Sequence, residues 1–63
     1  MPRLNTVWYK ENGKLPIEVD VLYFLDEQAY YYQRHDNRRM SQPFKTQHEA
    51  TLAFNSGKLV WDN

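Results

Sequence analysis

"IEVDVLYFLDEQAYYYQR", residues 17–34, is the stretch on which the fold turns. In an extended chain Ile17, Val19, Val21, Tyr23 and Leu25 point one way, and Glu18 and Asp20 point the other. Leu22 and Phe24 then follow Asp20 on the side that should be wet, so the second face changes from polar to apolar along its length. Asp26–Gln28 reads as a polar reversal without glycine, and Ala29–Arg34 as the returning strand. A loop of two or four residues sets Leu25 opposite Tyr30 and Tyr23 opposite Tyr32, which brings Tyr31 beside Phe24; a three-residue loop exchanges those faces. The centre of the chain is therefore an antiparallel hairpin with rings on both sides.

Toward the N-terminus, Asn12-Gly13 supplies the two positive-φ residues of a type I′ turn, flanked by strand-like sequence. With those two residues as the loop, Trp8 faces Ile17, Thr6 faces Val19 and Leu4 faces Val21, so Trp8 and Leu4 share a face with the odd-numbered residues of the next strand. Pro16 has no N–H to give to the ladder, so the second strand begins at Ile17 or carries a bulge near it.

Toward the C-terminus, Asp36-Asn37 makes a second reversal, and a short strand over 39–42 follows before Pro43. "TQHE", residues 46–49, is a capping box: the Thr46 hydroxyl accepts from the Glu49 amide while the Glu49 carboxylate reaches back to the Thr46 amide. Gly57 stops the helix where a left-handed residue is wanted. Ala50, Ala53 and Phe54 lie on one stripe of this helix and Leu52 on the opposite side, and "KLVW" at 58–61 reads as a last short strand. The expected fold is α+β, with residues 1–63 forming one domain: an antiparallel sheet of three to five strands with one C-terminal helix packed on one face.

A chain of 63 residues has room for a single core of modest stability. It has no cysteine to staple the fold, a composition that suits a reducing cytoplasm, which is the expected location. Eight basic and eight acidic residues cancel, and the net charge of zero speaks against a general nucleic-acid binder. The charges are unevenly spread, however: from Glu11 to Gln28 the acids Glu11, Glu18, Asp20, Asp26 and Glu27 stand against Lys14, whereas from Ala29 to His48 Arg34, Arg38, Arg39 and Lys45 stand against Asp36. The longest apolar run, 21–25, is too short for a secretion signal or a membrane span.

One ten-residue helix cannot shelter every ring, and the chain has two tryptophans, five tyrosines and three phenylalanines. The covered face should take Trp8, Tyr23, Tyr30, Tyr32 and Phe54, with Phe44 and Trp61 sealing the ends. Tyr9, Leu22, Phe24 and Tyr31 remain, joined by Val7, on the face beyond the helix's reach. Contiguous exposed apolar surface of this kind marks an interaction site. A second copy of the chain is the favoured partner, because a dimer interface would also relieve the marginal stability of so small a fold. Arg34, Arg38 and Arg39 are placed at the rim as orienting charges. The alternative is a nucleic-acid module in which sheet aromatics stack on bases and the same arginines meet phosphates.

Catalytic chemistry is not expected. His35-Asp36 and His48-Glu49 are sequence neighbours whose side chains diverge, and two histidines without cysteine or an H-E-x-x-H pattern make no metal site. Gly13 and Gly57, the only glycines, are taken by a turn and a cap, which leaves no glycine-rich phosphate loop. No enzyme activity, cofactor or membrane contact is assigned.

The segment "YYYQRHDNRRMSQPFKTQHEATLAF" resembles a pattern in small bacterial proteins, in which an aromatic strand and a turn lead to P-F-x-[S/T]-x-x-E-A at a helix start. The match runs through Tyr30, Tyr31, Tyr32, Pro43, Phe44, Thr46, Glu49 and Ala50. These residues determine a fold, so the resemblance implies architecture. "PFKTQHEA" is also similar to the helix start of integrase arm-binding domains, which set a helix after three strands. "YYY…QPF…SGKLVW" is similar to GYF-type modules, which bind proline-rich peptides, although Gln42 stands where a glycine commonly precedes the Pro-Phe and the Gly-Tyr-Phe triplet is absent.

Overall fold

A computed structural model describes residues 3–62 of the chain. Strands β1 (Arg3–Tyr9), β2 (Ile17–Phe24) and β3 (Ala29–Arg34) form an antiparallel sheet in the order β1-β2-β3, and helix α1 (Gln47–Ser56) follows. The class is α+β. Beyond β3 the pairing continues as isolated bridges, Tyr30 with Phe44, Gln33 with Met40 and Ser41 with Trp61. The expected short strand at 39–42 and the final strand at 58–61 are thus present as single pairings.

The β2–β3 hairpin closes through Leu25–Gln28, with Phe24 opposite Ala29, Tyr23 opposite Tyr30 and Val21 opposite Tyr32. The ladder lies two residues away from the expected pairing. A slip of two keeps every side chain on its face, so Tyr30 and Tyr32 share a side with Tyr23, and Tyr31 shares one with Phe24.

The first hairpin differs by one residue, which reverses the whole of β1. Tyr9 pairs with Ile17, Val7 with Val19, Trp8 with Glu18 and Thr6 with Asp20. The turn is where the sequence puts it: the Lys14 amide donates to the Glu11 carbonyl at 3.0 Å, and Lys14 Nζ meets Glu11 Oε2 at 3.1 Å. Only Gly13 of the two central residues has positive φ, 75°, so the type I′ form is not adopted. The two arms of the loop are also unequal. Lys10 and Glu11 stand on one side, and Lys14, Leu15 and Pro16 on the other, because Pro16 cannot donate to the ladder and is left out of it. That one extra residue sends Tyr9 and Val7 inward and Trp8 outward, correcting the sequence reading of all three.

The core is built on Tyr9, Val19, Tyr32, Phe44, Ala50 and Leu59, with Val7, Ile17, Val21, Phe54 and Trp61 packed around it. Phe54 joins helix to sheet, its ring 5.3 Å from those of both Tyr9 and Tyr32. The polar tips inside this core have partners. Tyr9 Oη accepts the Leu59 amide at 3.0 Å, Tyr32 Oη donates to the Ala50 carbonyl at 2.9 Å, and Ser41 Oγ accepts the Tyr32 amide at 2.9 Å. Burial also pushes the Tyr32 phenol pKa up.

Helix α1 starts as its sequence requires, with the Glu49 amide donating to Thr46 Oγ1 at 3.1 Å. The return bond from the Glu49 carboxylate is not made, so the capping box is half closed. The helix ends in a Schellman motif: Gly57 at φ 70° gives its amide to Phe54, and Lys58 gives its amide to Ala53. A Cβ at Gly57 would stand 3.3 Å from the Asn12 amide nitrogen and the Lys10 carbonyl, so the helix end is seated directly on the β1–β2 loop.

Candidate interaction surface

The side of the sheet turned from α1 carries Thr6 and Trp8 of β1, Glu18, Asp20, Leu22 and Phe24 of β2, and Ala29, Tyr31 and Gln33 of β3. A break in register between Arg3 and Asn5 places Arg3 opposite Leu22 and leaves Leu4 as the unpaired bulge residue. Three zones follow from this layout.

The polar zone centres on Asp20. Its Oδ1 accepts the Thr6 hydroxyl at 2.6 Å and lies 2.9 Å from His35 Nε2. The His35 hydrogen bond first, and then that of Thr6, hold the Asp20 carboxyl below its usual range. Arg3, Gln33 and Arg38 line the same shallow recess. Both donors converge on one carboxylate oxygen, so the Thr6 hydroxyl and the His35 ring share a single acceptor. No group of three or more His, Asp or Glu among the described residues is placed to hold a metal ion.

The second zone is aromatic. Phe24 and Tyr31 meet edge-on, centroids 5.3 Å apart at 80°, and the Tyr31 hydroxyl donates to Glu27 Oε1 at 2.6 Å. That bond, with the negative charge behind it, raises the Tyr31 pKa. Phe24 and Tyr31 form one wall of an open groove of about 610 Å³ faced by Met40, Pro43 and Val60. Leu22 sits beneath them. It is only 6% exposed, because a middle-strand residue between Arg3 and Tyr31, with Asp20 and Phe24 along the strand, is closed in on four sides.

The third zone is the β1 edge, where Trp8 is 65% exposed and Leu4 55%. Trp8 stands opposite Glu18 in the ladder, and neither Glu18 nor Arg3 forms an ion pair among the described residues.

The residues singled out from sequence thus part company. Phe24 and Tyr31 lie together, half exposed, as expected. Tyr9 is corrected: it is 0% exposed, on the other side of the sheet, and cannot meet a partner. Leu22 is corrected to a floor residue. Arg34 shares the face of Tyr30 and Tyr32 and also borders the Asp20 recess: its Nε and Nη2 fork onto the Asp36 carboxylate at 2.9 and 2.7 Å, and its guanidinium lies 5.3 Å over the Trp61 ring. Arg38 and Arg39 are exposed on the turn, Arg38 at φ 61° and Arg39 with its amide on Asn37 Oδ1. Sequence reasoning missed Trp8 and Leu4 as surface residues, and the signal that finds them is Pro16, counted as a residue outside the ladder.

No known protein family, curated protein or solved structure was found to match the chain. No helix among the described residues is long and apolar enough to cross a membrane.

Proposed function

We propose that this protein is a non-enzymatic interaction module that binds another protein through the sheet side left uncovered by α1, with a second copy of itself as the first partner. The observation that carries this reading is Trp8, 65% exposed on the same side as Phe24 and Tyr31 while the core lies on the other. A large ring held in water on a regular strand contributes nothing to the monomer's core, and exposed aromatics are the anchors that protein interfaces use. In this reading α1 covers one face only, and the bridged segments at 39–44 and 59–62 widen the sheet into a four- to five-stranded platform.

Nucleic-acid binding draws less support. Arg34 is spent on Asp36 and Trp61, and Asp20 sits among Arg3, His35 and Arg38, where it would oppose a phosphate.

Sedimentation of the purified chain over a concentration series tests the proposal. A monomer–dimer equilibrium is expected, with at least one Asp substitution among Leu4, Trp8, Phe24 and Tyr31 abolishing it while the near-UV aromatic signal persists. A chain that stays monomeric at millimolar concentration would overturn self-association.

A further inference from the structure

Strand β1 is an edge strand, with β2 on one side and no strand among the described residues on the other. Helix α1 makes its closest backbone approach to β3 and reaches β1 through Phe54 against Tyr9 on the inner face, while residues 3–6 and Trp8 of β1 stay exposed. An open edge is a template for another strand unless something blunts it. Arg3–Tyr9 holds no proline and no lysine, and its one irregularity, the bulge at Leu4, leaves Asn5–Tyr9 in regular register. On the reading that the chain self-associates, we infer that two copies join edge to edge, β1 against β1 antiparallel, about a two-fold axis through Thr6.

The register follows from geometry. Outward-pointing N–H and C=O groups belong to every second residue of an edge strand, so only residues of like parity can stand opposite each other in a symmetric antiparallel pair. Among such registers, the one that sets the two exposed apolar residues of the strand against each other pairs Thr6 with Thr6 and Asn5 with Val7 on the regular stretch, and brings Leu4, at the bulge, beside Trp8 of the second copy. The two exposed apolar residues of the strand then cover each other twice. An aromatic and an aliphatic side chain on the same face of neighbouring strands bury apolar area against each other. Charge fits the same arrangement: each copy carries Arg3 at one end of β1 and Glu18 beside the other end, and the antiparallel layout lays Arg3 of one copy next to Glu18 of its mate. Those positions are two strand spacings apart, roughly 10 Å, a span that the two side chains can bridge. The two sheets become one, and the Phe24–Tyr31 zones lie at its outer flanks, away from the join.

Single-cysteine variants test this directly, since the chain has no cysteine of its own. Opposed residues at the axis have Cα atoms about 4.5–5.5 Å apart, inside the range that a disulfide spans. Under mild oxidation Thr6→Cys should form covalent dimers, and an equimolar mixture of Leu4→Cys and Trp8→Cys should form the mixed dimer in preference to either homodimer. Phe24→Cys should stay monomeric. In sedimentation, Trp8→Asp should weaken association by about tenfold or more, while Phe24→Asp leaves it unchanged. If the chain dimerises but Phe24→Cys cross-links and neither Thr6→Cys nor the Leu4/Trp8 mixture does, the edge geometry is wrong and self-association stands. If the wild-type chain is monomeric, both fall. The Leu4/Trp8 mixture keeps the test decisive should loss of the Thr6–Asp20 bond disturb the Thr6 variant.

Discussion

The two sides of this sheet use the same residue types to different ends. On the α1 side, phenol and serine hydroxyls are tied to backbone: Tyr9 to Leu59, Tyr32 to Ala50, Ser41 to Tyr32. On the far side, polar groups bond to side chains at the surface, Thr6 and His35 to Asp20 and Tyr31 to Glu27. Rings differ in the same way, since Tyr9 touches Phe54 and Trp61 whereas Trp8, the next residue back, makes no ring contact among the described residues. A backbone acceptor or amide is fixed by the fold, so bonds to it lock tertiary structure, while side-chain pairs on a wet surface can exchange for a partner's groups at little cost. The first side carries the fold's stability, and the second is the one that the proposed interaction would use.

The adjacent pair Tyr9 and Trp8 gives the strongest test of that contrast. Tyr9→Ala should cost about 3–5 kcal/mol through the cavity it opens and the Leu59 amide it strands. A chain of this length holds a total of roughly 3–9 kcal/mol, so the variant should lose at least about a third of its stability, read as a steep fall in the denaturation midpoint by circular dichroism. Gly57→Ala attacks the seating of the helix: a left-handed backbone costs a non-glycine residue about 1–2 kcal/mol, and the new methyl meets backbone of the β1–β2 loop at 3.3 Å. Its denaturation midpoint should fall accordingly.

Smaller effects belong to the wet side. Asp20 is depressed by His35 and Thr6, so its contribution is present above the ordinary carboxylate pKa and is lost as pH falls through the lower, folded value. Shared with an exposed His35 at the sheet surface, it should stay below about 1 kcal/mol. Carboxyl titration by NMR should show Asp20 shifted down, and denaturation midpoints of wild type and Asp20→Asn should converge in acid. Trp8→Ala should change monomer stability by less than about 0.5 kcal/mol; a loss as large as that for Tyr9→Ala would erase the distinction between the faces.

Much of this was legible in the sequence, and the part that was not has one physical origin. The strands, the helix with its Thr46 and Gly57 ends, and the division of Tyr30, Tyr31 and Tyr32 between faces follow from alternation and from cap and turn chemistry. Face assignment in β2–β3 survived a slip in register because the slip was even. In β1–β2 the slip was odd. Asn12-Gly13 marks the turn but not the length of its arms, and Pro16, which withdraws one residue from the ladder, decides whether Trp8 or Tyr9 meets the core. Leu22 was hidden for a different reason: periodicity shows which side a residue faces, not how far its neighbours overhang it. Arg34 is held by a stacked Trp61 that is 27 residues away in sequence.

The emission of Trp8 alone, read in a Trp61→Phe chain as concentration rises, tests the central claim most directly. The expected spectrum is long-wavelength and water-exposed in dilute solution and moves to shorter wavelength as the chains associate. A spectrum already blue in the dilute monomer, or one that stays red while sedimentation shows dimers forming, would contradict it.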